Sequence, residues 1–178
     1  MRNSREFSEA DVHFMTGMIA HHAQAVLISR LAPKNGASEQ VQTLAARIVN
    51  AQKGEIKTMQ RWLRDRGQPV PKVHIEGLNL MIHGAGTHHS GHKNMPGMLS
   101  QKQIQKLANA HGAEFDRLFL TYMIEHHKGA VTMVKKLFSS DGAASGAQTY
   151  HLASGIQVDQ KTEIDRMNRM LDDLAGSD

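Results

Sequence analysis

From residue 8 onward, Asp11, Met15, Met18, Ile19, His22, Ala25 and Val26 recur at intervals of three and four, the spacing of one helical face. Ser8 with Asp11 resembles a capping box that opens this helix, and residues 33–38 predict the turn that ends it. A second long helix is predicted over residues 38–66, closed by Gly67 and by Pro69 and Pro71. Its inner stripe reads Leu44, Ile48, Gln52, Glu55, Met59 and Trp62. Between Gly67 and Gly97 the pattern collapses into "IHGAGTHHSGHKNMPGM", which reads as an irregular connection. Ser100 and Gln103 predict a further capping box, Gly112 a break, residues 113–138 a long helix, and "SSDGAASG" the turn into a last helix that ends near Leu174. No alternating β-branched run bounded by turns stands out, so no strand is predicted.

The pattern occurs twice. Asp11, Phe14, Met18, Ile19, His21, His22 and Ala25 correspond to Asp116, Phe119, Met123, Ile124, His126, His127 and Ala130 at a constant offset of 105. In the second helices, Ile48, Gln52, Glu55, Ile56, Met59 and Leu63 correspond to Ile156, Gln160, Glu163, Ile164, Met167 and Leu171 at an offset of 108. The slip of three falls in the interhelix turn, where insertions are tolerated. The expected fold is therefore all-α: a single domain over residues 1–178 in which two pseudo-twofold-related hairpins form a four-helix bundle. Residues 8–66 make the first hairpin, residues 67–99 a His/Met/Gly-rich crossover connection, and residues 100–174 a short helix plus the second hairpin.

Composition adds the chemistry. The 178 residues are 40% hydrophobic but only 4% aromatic, with 11 Met and 12 His, and thioether with imidazole suits soft or borderline metals. Met also fills gaps in helical cores, so abundance alone leaves both readings open. The net charge of +4 is spread over faces that also carry Asp and Glu, which gives nucleic-acid binding little support. Cysteine is absent, which removes disulfides and thiolate metal sites. No run is long enough to span a membrane, and "MRNSREFSEADVHF" lacks the apolar core of a signal peptide. A cytosolic chain, or a mature form with its export signal removed, is expected.

On the first helix, Asp11, Met15, Met18 and His22 form one edge; its counterpart is Asp116, Leu120, Met123 and His127, so the second half has one sulfur fewer. His21 and His126 sit about 100° further round and also border the packed face. The hairpin turn sets Gln52 and Glu55, or Gln160 and Glu163, across from these groups. In one reading Glu55 accepts a hydrogen bond from a buried imidazole and Gln52 satisfies a neighbour. In the other, Met15, Met18, His21, His22 and Met59, with Met123, His126, His127 and Met167, are metal ligands. Asp11, Gln52, Glu55, Asp116, Gln160 and Glu163 then orient them. Cu(I) tolerates two to four soft ligands, so Met content tilts the choice toward Cu(I), with Ag(I) as its mimic. The connection offers a separate candidate set in His74, Met81, His83, His88, His89, His92, Met95 and Met98, against a bland reading as a polar linker.

The doubled motif "D..F(M/L)..MI.HH..A" followed by "Q..EI..M", joined by "MPGML", resembles the DUF305 family in tandem copy over residues 7–174. The resemblance implies a ferritin-like four-helix arrangement. It also implies export to the periplasm or exterior, because members are commonly exported, and copper binding, because one cyanobacterial periplasmic member binds it. The expected function is Cu(I) or Ag(I) binding for copper handling or tolerance, without catalytic turnover. Metal ions are the expected partners, together with a second copy of the chain or a copper-exchange protein. Two alternatives stand beside it: a bundle with a buried His-Gln-Glu network and no metal, and a di-iron oxidase. The oxidase is disfavoured because Glu-x-x-His is absent.

Overall fold

Ser8 accepts a hydrogen bond from the Asp11 N–H at 3.1 Å while the Asp11 carboxylate accepts the Ser8 N–H at 2.8 Å. This reciprocal cap starts α1 (Glu9–Ser29). The computed structural model describes residues 7–86 and 94–176. Ser38 caps α2 (Glu39–Asp65), which ends in a Schellman turn: the Gly67 N–H donates to Arg64 O, the Gln68 N–H to Leu63 O, and Gly67 takes φ +65°. Ser100 and Gln103 form a second capping box on the short α3 (Gln101–Asn109). Two long helices follow, α4 (Gly112–Phe138) and α5 (Ala147–Gly176). The chain is all-α as expected, apart from one small sheet.

That sheet corrects the reading of residues 67–99 as irregular. Strands β1 (Lys72–Glu76) and β2 (Asn79–His83) pair antiparallel, with Val73 opposite Ile82 and Ile75 opposite Leu80. These apolar pairs share one face, and both strands pack on α1. Gly77 and Leu78 form the two-residue loop, with φ +59° at Gly77 suiting a type II′ turn. The alternation was there to read in "KVHIE", but five residues among glycines and histidines carry little periodic signal. His88, His89 and His92 lie outside the described residues.

Helix α1 packs on α2, α4 packs on α5, and α1 crosses α4. Between Asp11 and Ser29 every α1 residue but His13 and Gly17 is buried, so this helix is the centre of the molecule. Apolar side chains gather in two clusters. One joins the first half of α1 to the second half of α4 through Met15, Met18, Ala130 and Val134; the other joins the second half of α1 to the first half of α4 through Leu27, Ile28, Phe119 and Met123. The two helices therefore run antiparallel, and a polar layer separates the clusters. Cross-hairpin clamps hold the ends: Asp11 accepts the Ala144 N–H at 2.7 Å and Asp116 accepts the Ser38 N–H at 3.1 Å. Each aspartate thus latches the interhelix turn of the other hairpin.

Buried Asn35 ties α3 to this frame by donating to the carbonyls of Ala108 and Ala110, which the end of α3 leaves without intrahelical donors, and at 3.4 Å to that of Leu107, which also accepts the Ala110 N–H. Asn35→Ala is expected to cost about 2 kcal/mol, because buried carbonyls lose their donor. A urea midpoint that does not move would show that apolar packing alone seats α3.

Candidate metal centre

The polar layer is built from two equivalent pairs. On α1, His22 donates its Nε2–H to Glu55 of α2 at 2.9 Å; on α4, His127 donates to Glu163 of α5, also at 2.9 Å. Both imidazoles are fully buried, while both glutamate side chains keep 16% of their surface. His21 and His126 meet each other between the pairs, with ring centroids 3.9 Å apart. Two residues related by the 105 offset are thus in ring contact, with their planes tilted by 34°.

The acceptors decide the tautomers. A carboxylate and a carbonyl can only accept, so the ring nitrogen facing them carries the proton. His21 donates Nε2–H to the Pro96 carbonyl at 2.8 Å. The Nδ1 atoms of His21, His22 and His127 are turned away from these acceptors, and among the described residues none of them has a hydrogen-bond partner. Among the described residues neither ring nitrogen of His126 has a well-formed bond, although the ring lies against the His21 backbone. Burial pushes the His21 imidazole down to about 3; the Pro96 carbonyl opposes this, and His22 and His127 add to it. His126 is held well below its ordinary value, first by burial and then by the charges of His21, His127 and His22. These are neutral imidazoles with lone pairs to give.

Thioethers flank the layer. Met18 lies one turn before His21 and His22, Met59 one turn beyond Glu55, and Met123 and Met167 take the same places in the second hairpin. All four are fully buried, as is Met15. Gln52 and Gln160 are buried in the same stripes, and both amide atoms of Gln52 lack partners among the described residues. Other predicted residues are not brought here. Asp11 and Asp116 are committed to the interhelix turns, about three helical turns from the histidines. His83 and His74 are exposed on the hairpin, where His74 faces Glu76 at 3.8 Å. Met98 is half-buried in the connection.

Two features escape a reading based on the repeat, because both break it. Asp159 on α5 has its carboxyl raised by partial burial and by the charges of Glu55 and Glu163, so it lies near both His–Glu pairs; its counterpart in the first hairpin is Ala51. The connection docks asymmetrically. Gln24 clamps Leu99, accepting its N–H at 2.8 Å and donating to its carbonyl at 3.0 Å. The counterpart of Gln24 is Gly129, where a Cβ would collide with the Pro96 carbonyl. Gly97 (φ +77°) is also pressed on α4, since a Cβ there would lie 2.6 Å from Glu125 O. The "MPGML" segment was the available signal.

Among the described residues no three His, Asp or Glu side chains stand close enough together to hold an ion. The donor set instead fits an ion content with few soft ligands, imidazole and thioether, rather than the four nitrogen, oxygen or sulfur ligands of structural zinc. Among the described residues no helix is long and apolar enough to cross a membrane.

The family described as a domain of unknown function, DUF305, matches residues 11–171 in a single span that takes in both hairpins. A DUF305 protein of Streptomyces coelicolor inferred to be secreted is 28% identical, covers 93% of this chain and 94% of its own, and superposes with a TM-score of 0.74. A DUF305 fragment from Deinococcus radiodurans is 27% identical with the same score, covering 93% and 97%. CopM is 25% identical in its Cu(II)-bound and Ag-bound forms, with TM-scores of 0.67 and 0.64 over 92% of this chain and 96% and 95% of that one. No curated protein matches the chain.

Proposed function

Since the chain belongs to the DUF305 family, we propose that it binds a soft metal ion, Cu(I) or its mimic Ag(I), in the histidine layer and carries it without catalytic turnover. One observation supports this above the rest: His21, His22 and His127 spend their Nε2–H on acceptors and bury an Nδ1 that has no partner among the described residues. A buried polar atom without a partner costs about 1–3 kcal/mol, and a protein that needed only a polar network could have satisfied these atoms with hydroxyl or amide donors. A soft cation takes lone pairs of this kind. Glu55 and Glu163 then act as the carboxylates that fix ring orientation behind a metal-bound imidazole, and Met18, Met123, Met59 and Met167 offer sulfur nearby. CopM, bound to Cu(II) and to Ag, supports the choice of metal. The Streptomyces relative inferred to be secreted supports a place outside the cytoplasm.

The purely structural network draws on the same His–Glu bonds but leaves the Nδ1 atoms unexplained. A competition titration with Cu(I) under anaerobic conditions separates the two. His22→Gln with His127→Gln keeps an N–H donor for each glutamate and replaces the imidazole nitrogen with a hard amide, so affinity is expected to fall by at least about 100-fold, the upper range for disturbing only the partners behind the ligands. Equal affinity in wild type and variant would leave the layer structural.

A further inference from the structure

A cavity of about 240 Å³ opens where the first half of α1 meets the end of α4 and the connection. At its wall stands Gly17, in the interior of α1, where glycine is about 1 kcal/mol worse than alanine for the helix. What the missing side chain makes room for is sulfur. A Cβ at Gly17 would lie 3.2 Å from Met95 Sδ and 3.5 Å from the Met133 methyl. Two thioethers from distant parts of the chain therefore converge over bare backbone. Met15, Met18, Met59, Met123 and Met167 are sealed in the core, whereas Met95 and Met133 are only partly buried. His13, one turn before Gly17 on α1, lines the same cavity and is exposed. Lys136 also lines it but is exposed, and its flexible stem lets the ammonium turn to solvent.

We propose that Met95 and Met133, with His13 at the rim, form an outer site for a soft monovalent cation. The donor set of two thioethers and an imidazole selects Cu(I) or Ag(I) over harder ions. The next residue after Met95 is Pro96, whose carbonyl holds His21, so this outer site is joined by a single peptide unit to the buried layer. Its role is to capture the ion at the surface and load the layer. That role rests on the function proposed above; the outer site itself does not, and the two are read separately.

The test uses the full chain with methyl-labelled methionines and Ag(I) as the added ion, followed by NMR. Met95 and Met133 methyl signals are expected to shift together, and either Met95→Leu or Met133→Leu, which preserve apolar volume, should remove the shift of the other. Gly17→Ala, which crowds both thioethers, should weaken the response. Met18 and Met123 signals report the layer independently. Shifts at Met18 and Met123 with none at Met95 and Met133 would overturn the outer site and leave the layer standing. Shifts confined to Met95 and Met133 would support the outer site and remove the layer. A Met133→Leu protein that keeps the full Met95 shift would overturn the pair. Slower filling of the layer by Met95→Leu/Met133→Leu, at unchanged final affinity, is expected if the outer site loads it; an unchanged filling rate would overturn that role.

Discussion

Gly129→Ala is expected to destabilise the protein by about 3–5 kcal/mol, a loss typical of forced overpacking together with broken buried bonds. Helix propensity alone predicts the opposite sign, since alanine in a helix interior is favoured over glycine by about 1 kcal/mol. Packing decides. The added Cβ would collide with the Pro96 carbonyl and lie 2.8 Å from the Gly97 nitrogen, and these are backbone atoms that no rotamer change can move aside. The connection would have to lift, which strains the Gln24 clamp on Leu99 and removes the acceptor of His21. A matched control sits at Gly54 on α2, where a Cβ would meet nothing within 4 Å. Gly54→Ala is expected to stabilise by about 0.5–1 kcal/mol. Chemical unfolding of both variants checks the pair, and the idea fails if Gly129→Ala raises the midpoint as Gly54→Ala does.

This asymmetry also marks the limit of what the sequence made legible. The caps at Ser8 and Ser100, the Gly67 stop and the long helices were readable because each rests on residues within four positions of one another. That Glu55 would accept from a buried imidazole followed from two helical stripes meeting across a turn, but which histidine would donate did not. Three things were not readable. The small sheet is short and its strands are stabilised mainly by lying on α1, a tertiary effect that periodicity does not carry. Asp11 and Asp116 continue the stripe of the histidines and so resembled their neighbours, yet each is claimed by the turn of the other hairpin. Spacing along a helix says which residues share an edge but not what arrives from elsewhere to meet them. The same limit hid Asp159, Pro96 and Gly129, whose roles depend on contacts where the two halves differ.

Acidification is expected to unfold the protein through its histidine layer. In the unfolded chain His21 takes up a proton near 6.5, while in the fold burial holds that event down to about 3. Between those values the unfolded state binds more protons, so stability is complete above pH 6.5 and falls as the pH drops toward 3. Each unit of separation is worth about 1.4 kcal/mol, so His21 alone removes roughly 2.7 kcal/mol by pH 4.5. His126 is lowered for the same reason and adds to the loss in the same direction. Asp159 opposes it, since a carboxyl raised in the fold gains stability as it protonates, but this group is mostly exposed and its share is small. Against a total stability of about 5–15 kcal/mol for a domain, two such histidines bring the unfolding midpoint into mildly acidic solution. Unfolding free energies measured from pH 7.5 to 4.5 should fall with a slope approaching two protons, and a flat profile would mean that the layer admits charge. The same lowered affinity for protons has a consequence for binding. At His21 and His126 a metal ion displaces no proton until far below pH 6.5, so Ag(I) should raise the acid-unfolding midpoint in wild type, and stabilisation that vanishes already at pH 6 would place the ion on ordinary surface histidines instead.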